Sequence, residues 1–503
     1  MEATIGALLK SRAENLGAKV YAIDHNGAVS YSELLTRSNN IAKKLRMHGI
    51  EFGDRVVVAL PNSVKPIEVY CALALIGAVA VPVNPRLTVR EISLIAKDSA
   101  AKGLIGHDEV VKRLVPERGE LPYLEVVVCD ESSSNADIAY EDLRVGSGRQ
   151  VDDHDVASDD VAAILYTSGT TGVPKGAMLT HKGLISNAYA VVDRVKFGEQ
   201  DRSVCVLPLY HLFAIAFDFL QMMVAGASTS ILSNFDPEHV CDVVDTQECS
   251  VLVGVPTMYT YLCKFAEEHG RILRTLRIGD TGGAPVSTEL KKRVAAQFGM
   301  TLLESYGLTE ASPVVTIEDP VGLRKVGSCG RVVRGAEIRV VGKAGEQLAD
   351  NQVGEVCVRG PLVMKGYFNL PEATASTVID DWLHTGDLGR QDAEGFLYIV
   401  DRLKDMVISG GFNIYPKEIE SVLNEHPEIV ESAVVGVPDE KRGEIPKAFV
   451  VAKKGGSVNE GELDEYCRKY LVAYKVPRCW EIVDHLPKTG TGKVDKPQLR
   501  GLR

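Results

Sequence analysis

No stretch of this 503-residue chain offers the ~20 uninterrupted apolar positions that cross a bilayer. The most apolar run, Tyr70 to Val83, is broken by Gly77 and Pro82. The opening residues, MEATIGALLKSRAENLG, read as a short amphipathic helix. They lack the basic start, apolar core and small-residue cleavage site of a secretory signal. CxxC is absent, and the ten cysteines are scattered singly. That excludes an obvious disulfide framework or zinc site and favours reduced core residues, so a cytoplasmic location is expected. Basic charge is also short, with 56 Lys+Arg against 68 Asp+Glu and a net charge of −12. This argues against nucleic acid as a partner, but not against a small anion in a local positive pocket. GxGxxG, GxSxG and the Walker pattern are missing as well, which weakens dinucleotide, esterase and P-loop readings.

What is present is a soluble globular composition, 45% hydrophobic and 25% charged, in a chain too long for one ordinary core. Through the first 300 or so residues, strand-like runs alternate with helical patterns. The strand-like runs are DRVVVAL, GAVAVPV, YLEVVVCD, VAAILY, SVLVGVP and TLLESYG. The alternation predicts a layered α/β domain. From about 326 to 400, GAEIRVV, GEVCVRG and GFLYIVD are short strands between glycine turns, predicting a small β-rich subdomain. The last hundred residues predict a separate α+β lobe. Pro416 opens one of its helices, and Asn459 with Glu462 caps another whose apolar stripe is Leu463, Tyr466, Cys467, Tyr470 and Leu471. DRLKD (401–405) is the expected joint, giving domains 1–403 and 404–503.

One stretch stands out. YTSGTTGVPKG (166–176) holds four Ser/Thr hydroxyls, three glycines and a lysine, and is predicted to be neither helix nor strand. The apolar run Val161–Tyr166 delivers it with the pattern of a buried parallel strand. A helix opens near Thr180, with Leu184, Ile185, Ala188, Val191 and Val192 at helical spacing. Backbone amides of a glycine-rich turn form a concavity that favours anions, and hydroxyls and Lys175 add to it. A polyphosphate is the natural guest.

YTSGTTGVPKGAMLTH closely resembles the phosphate loop of the adenylate-forming superfamily, which includes acyl-CoA synthetases, carrier-protein adenylation domains and luciferases. SYGLTE (305–310), HTGD (384–387) with DRLKDMVISGGFNIYP (401–416), and PKTGTGK (487–493) match the same family in order. The resemblance spans essentially the whole chain. It implies that a carboxylate attacks the α-phosphate of ATP, giving an acyl adenylate, and that a thiol then takes the acyl group and releases AMP. Thr167, Ser168, Gly169, Thr170, Thr171, Gly172 and Lys175 would hold the β- and γ-phosphates. Glu310 would bind Mg²⁺, a hard cation suited to oxygen ligands. Thr309 would contact the α-phosphate and Tyr306, followed by Gly307, would stack on adenine. Gly282, Gly283, Ala284 and Pro285 would line the base. Asp387 and Arg402 would bind the ribose. Lys493 would bridge carboxylate and α-phosphate in the first half-reaction. Rotation about Lys404 would withdraw it and bring Ser409, Gly410 and Gly411 to a pantetheine path.

By the same resemblance, LPLYHLFAIAFDF (207–219) and LVGVPTMYTYL (252–262) wall the acid pocket. His211 would lie beside the carboxylate, with Phe213, Phe217, Val255, Met258 and Tyr259 as apolar walls. These favour a hydrophobic acid, a medium- or long-chain fatty acid first and an aromatic or alicyclic acid second. Bulky Phe217 would reverse that order if it shortens the pocket, and Asp218 would enter it if the register shifts. Relatives that activate amino acids carry aspartate near Phe213, so an α-amino acid is not expected. CoA is the expected acceptor. A carrier-protein phosphopantetheine and an inactive nucleotide-binding scaffold are the competing readings, and a homodimer is left open.

Overall fold

The computed structural model describes residues 2–131, 135–146, 155–167, 174–284, 286–410, 412–453, 458–488 and 494–501. The chain divides into two compact units, residues 1–338 with 358–383, and residues 339–357 with 384–503.

The first unit is built on two sheets. One has nine strands, ordered Arg331–Val332, Val314–Ile317, Thr301–Gly307, Ile278–Thr281, Val251–Gly254, Arg202–Cys205, Ser228–Ile231, Val20–Asp24 and Gly27–Ser30. From Thr301–Gly307 to Val20–Asp24 the pairings are parallel, and antiparallel strands flank that block. The other has eight strands, ordered Gly366–Tyr367, Lys175–Thr180, Val161–Thr167, Val79–Pro82, Arg55–Ala59, Gly103–Gly106, Val126–Cys129 and Ile138–Ala139. Near-continuous apolar strands such as Arg55–Ala59 and Val126–Cys129 are what a parallel sheet covered on both faces requires. Helices Pro237–Gln247, Pro256–His269 and Thr288–Phe298 pack Val240, Val244, Tyr259, Leu262 and Val294 into one core with strand residues Val204, Leu252 and Leu302.

The helix after the glycine-rich stretch runs His181–Val195. Its N-cap is Thr180, whose hydroxyl accepts the Gly183 N–H. The two ends of that stretch differ from the sequence expectation. Tyr166 and Thr167 finish one strand, Lys175 and Gly176 begin the next, and Thr167 pairs with Lys175 across an antiparallel ladder. The strand Val161–Thr167 is thus parallel to one neighbour only. Glycine content concealed the second strand, because Gly176 sits where a Cβ would meet the Ile164 and Tyr166 side chains.

In the second unit, Phe412–Ile414, Val407–Ser409, Gly443–Ala452, Ile429–Asp439 and Cys479–Ile482 form a sheet. Helices Pro416–Asn424 and Glu460–Tyr470 cover it through Ile419, Leu423, Leu463 and Cys467. The Asn459–Glu462 capping box forms as the sequence predicts. Tyr470, counted in the apolar stripe, is 61% exposed, because the helix ends there and its ring turns outward against Tyr466. None of the ten cysteines forms a disulfide; nine are buried and Cys479 is half-buried. Among the described residues no helix is long and apolar enough to cross a membrane.

Candidate active site

Ser168, Gly169, Thr170, Thr171, Gly172, Pro285, Gly411 and Lys493 lie outside the described residues. The flanks of the glycine-rich loop are described. Lys175 opens its strand and places Nζ 5.1 Å from the centre of the Tyr367 ring. Tyr367 stands on the neighbouring strand, opposite Ala177. Its hydroxyl donates to Glu310 Oε1 at 2.9 Å. Burial, and then the Glu310 charge, push that phenol's pKa up, so it stays a donor. Lys175, Tyr367 and Glu310 are therefore one connected group, and Tyr367 is the member that sequence reasoning missed. GYF carries no periodic or charged signal to mark it.

Glu310 belongs to a single 3-10 turn, Thr309–Ala311, that follows the strand Thr301–Gly307. Its carbonyl is fixed by the Met364 N–H at 2.8 Å. Tyr306 pairs with Thr316, and Gly307 follows where the backbones nearly touch. A Cβ at Gly307 would stand 1.8 Å from the Pro313 carbonyl oxygen, so only glycine fits. Gly282, Gly283 and Ala284 leave the end of the adjacent strand, Gly283 with φ +77°.

Among the residues expected to wall the acid pocket, His211 caps the short helix Leu212–Ala214, and its Nδ1 accepts the Phe213 N–H at 3.2 Å. A neutral ring bonded this way carries its proton on Nε2. The chain continues as a π-helical segment, Ile215–Gln221, a widened geometry frequent at functional sites. Phe213 and Phe217 meet edge to face, centroids 5.0 Å apart at 87°. Phe217 is fully buried. Phe213 Cζ lies 3.5 Å from where a Cβ on Gly282 would stand, and Ser305 Oγ lies 3.0 Å from it. Val255 precedes the helix Pro256–His269, and Met258 packs its sulfur toward Gly254. Tyr259 is a core residue whose hydroxyl donates to the Leu252 and Asp280 carbonyls at 2.5 and 3.0 Å. Asp218 is fully buried beside Ser203 and Cys205, and burial raises its pKa to about 7.

Asp280 and Ser305 were not singled out from the sequence. A charged residue inside the buried strand Ile278–Thr281, next to GGAP, was the available signal. Asp280 Oδ2 accepts from Ser305 Oγ at 2.9 Å.

In the second unit, Asp387 and Arg402 face each other across paired strands, with Arg402 Nε 3.2 Å from Asp387 Oδ1. Glu355 holds the preceding turn, accepting the Gly386 N–H at 3.0 Å and lying 2.8 Å from His384 Nδ1. Burial, and then Arg402, push the Lys404 pKa down. Ser409 is buried, and Gly410 takes φ +56° with its N–H donated to the Arg442 carbonyl.

The sequence matches the model of the AMP-binding enzyme family over residues 9–368 and that of the AMP-binding enzyme C-terminal domain over 418–493. The chain belongs to this adenylate-forming family, and it is an AMP-forming acid–thiol ligase that uses ATP and CoA. It is 38% identical to a feruloyl-CoA synthase of an Amycolatopsis species, over 97% of each chain. It is 34% identical to 4-coumarate–CoA ligase 2 of Nicotiana tabacum, over 94% of this chain and 89% of the relative. It is 33% identical to a long-chain-fatty-acid–CoA ligase of Bacillus subtilis, over 99% and 94%. Among solved structures, ATP-bound MatB from Rhodopseudomonas palustris superposes with TM-score 0.92 at 34% identity, over 100% and 99% of the two chains. The anthranilate CoA ligase AuaEII with anthranoyl-AMP superposes with TM-score 0.92 at 26% identity, over 100% and 98%.

Proposed function

We propose that this enzyme activates an aromatic carboxylic acid and delivers it to CoA. The observation that carries the reading is the edge-to-face pair Phe213–Phe217, with the tip of Phe213 against Gly282. A flat ring packs well against an aromatic edge and a side-chain-free glycine. The fully buried Phe217 fills depth that a long alkyl chain would need. This reverses the order expected from apolar walls alone, which put a fatty acid first. The feruloyl-CoA synthase and 4-coumarate ligase relatives support the same direction.

Both reactants of the first step are anions, so the protein must offset charge and align the attack. Lys175 and the loop hydroxyls would hold the outer phosphates. Thr309 would meet the α-phosphate, and His211 the carboxylate, from its protonated Nε2. Tyr306 and Gly282–Ala284 would take the base, and Asp387 with Arg402 the ribose. Glu310 offers the hard oxygen donor that suits Mg²⁺, held in place by Tyr367. Bound there, the ion would offset phosphate charge. Lys493 would stabilise charge building on the transferring phosphorus. Turning about Lys404 would then bring Ser409 and Gly410 to the thiol's path. Ten cysteines outside disulfides, nine of them buried, favour a reducing, cytoplasmic setting.

Acid-dependent ATP–pyrophosphate exchange followed by CoA-dependent AMP release tests the reading over a panel of cinnamates, benzoates, alicyclic acids and fatty acids. Cinnamates or benzoates should give the highest kcat/KM. A preference for alkyl chains of ten or so carbons would overturn it, and exchange without CoA-dependent release would point to a carrier-protein acceptor.

A further inference from the structure

Glu355 and Cys357 stand two residues apart on the strand Gly354–Arg359, so their side chains share one face of it. His384 comes from the adjacent strand Trp382–Gln391, where Thr385 donates its hydroxyl across to the Val356 carbonyl at 2.7 Å. His384 Nδ1 lies 2.8 Å from Glu355 Oε2 and 3.5 Å from Cys357 Sγ. Among the described residues, this is the one group of three such side chains whose donor atoms all lie within 4.8 Å of one another. All three belong to the second unit. Cys357 is fully buried, but the His384 and Glu355 side chains are 19% and 20% exposed, which leaves an ion a way in.

A thiol, an imidazole and a carboxylate suit a borderline-soft divalent ion rather than Mg²⁺ or Ca²⁺, which take oxygen. Tetrahedral Zn²⁺, with bonds of about 2.3 Å to sulfur and about 2.1 Å to nitrogen and oxygen, sets its sulfur and nitrogen ligands about 3.5 Å apart. That spacing is already present between Cys357 and His384. Nitrogen and oxygen ligands stand about 3.4 Å apart, so the hydrogen-bonded pair His384–Glu355 must open by about 0.6 Å. We infer that Glu355, Cys357 and His384 form a Zn²⁺ site with an open fourth position, and that filling it weakens the grip on ATP. Glu355 uses its other oxygen, Oε1, to accept the Gly386 N–H at 3.0 Å, and His384 lies three residues before Asp387 on one strand. Parting Oε2 from Nδ1 therefore shifts the turn that carries Asp387. This effect rests on the ribose role proposed above, whereas the metal site does not. Burial, and then the Glu355 charge, hold the proton on the Cys357 thiol, and the Arg339 charge works against them. Binding the ion displaces that proton.

Co²⁺ is the probe, since a thiolate ligand gives it a charge-transfer absorption in the near ultraviolet. Metal-stripped full-length enzyme should bind Co²⁺ with that band, and Zn²⁺ should displace it. Cys357→Ala should lose the band, and His384→Gln should weaken binding about tenfold or more, while Cys479→Ser keeps both. At saturating Mg²⁺, Zn²⁺ should raise the KM for ATP a few-fold in wild type. It should leave that KM unchanged in Cys357→Ala, which should match wild-type activity without Zn²⁺. No band in wild type, or an undiminished one in Cys357→Ala, would overturn the site. A band with no change in KM would overturn its link to ATP. Asp387→Ala without Zn²⁺ tests the ribose reading by itself: a KM for ATP equal to that of wild type would sink that reading and leave the site standing.

Discussion

The proposed phosphate side and the proposed acid side of the first unit are built in opposite ways. On the phosphate side, Lys175 and Glu310 are linked through the one ring and hydroxyl of Tyr367. Backbone placement at strand ends fixes each of them, and each keeps some contact with solvent. On the acid side, Phe217, Asp218 and Asp280 are fully buried, and both carboxyls are driven toward neutrality by desolvation. Charge kept near water can handle a mobile, highly charged substrate such as ATP. Neutralised carboxyls inside an apolar wall cannot offset charge.

The largest expected effect concerns the proposed attack on the α-phosphate. Lys493→Ala should lower acyl-adenylate formation by on the order of 10²–10³, about 3–4 kcal/mol of transition-state stabilisation. The thioester step, started from synthetic acyl adenylate, should be largely spared. Equal losses in the two half-reactions would show that this lysine does not serve the adenylation state alone. Lys404→Pro should instead slow complete turnover while leaving one half-reaction near its normal rate. Both half-reactions measured separately would reveal whether the residue acts as a pivot.

A smaller effect separates Tyr367 from a passive core aromatic. Tyr367→Phe keeps the ring below Lys175 but removes the hydroxyl donated to Glu310. A hydrogen bond to a charged group is worth ~1.5–3 kcal/mol, so the Mg²⁺ concentration for half-maximal pyrophosphate exchange should rise about tenfold or more. Tyr367→Ala should add a further rise of a few-fold in the KM for ATP as the cation–π contact is lost. An unchanged Mg²⁺ dependence in the phenylalanine variant would make the contact to Glu310 incidental.

The smallest effects are on stability. Asp218 keeps its proton up to about pH 7 in the folded protein, whereas the unfolded chain releases it near 3.8. Between those values the folded state binds more protons, so this residue's contribution to stability falls as pH rises. Asp218→Asn should therefore raise Tm more at pH 7.5 than at pH 4.5. His181 acts in the other direction. Burial lowers its pKa to about 4, and its Nδ1 accepts the Ile5 N–H. The unfolded chain takes up that proton below about 6.5, so stability is lost as pH falls from there toward 4. Thermal unfolding followed from pH 4.5 to 7.5 in wild type and Asp218→Asn reads both slopes.

Motifs supplied the proposed phosphate side. Glycines, hydroxyls and a lysine at fixed spacing describe a chemical requirement that survives changes of context, and Lys175 and Glu310 could be named from them. The alternation of apolar runs and helical stripes likewise predicted the layered α/β unit and the helix opening near Thr180, and the Asn459 cap was readable because capping is local. The strand Lys175–Thr180 was not readable, since its glycine is required by the neighbouring Ile164 and Tyr166 rather than by a turn. Tyr367, Asp280 and Ser305 were missed for a related reason. Their hydrogen-bond partners lie 57 and 25 residues away in sequence, which no local pattern encodes. The same limit set a fatty acid first: an apolar composition does not report whether Phe217 lies along a channel or closes it.

The burial of nine cysteines has a practical outcome for anyone measuring this enzyme. Desolvation holds thiols such as Cys205 and Cys249 in their unreactive protonated form, out of reach of aromatic disulfides. Consumption of the acceptor can thus be followed continuously with a chromogenic thiol reagent, against a protein background that Cys479→Ser should nearly erase.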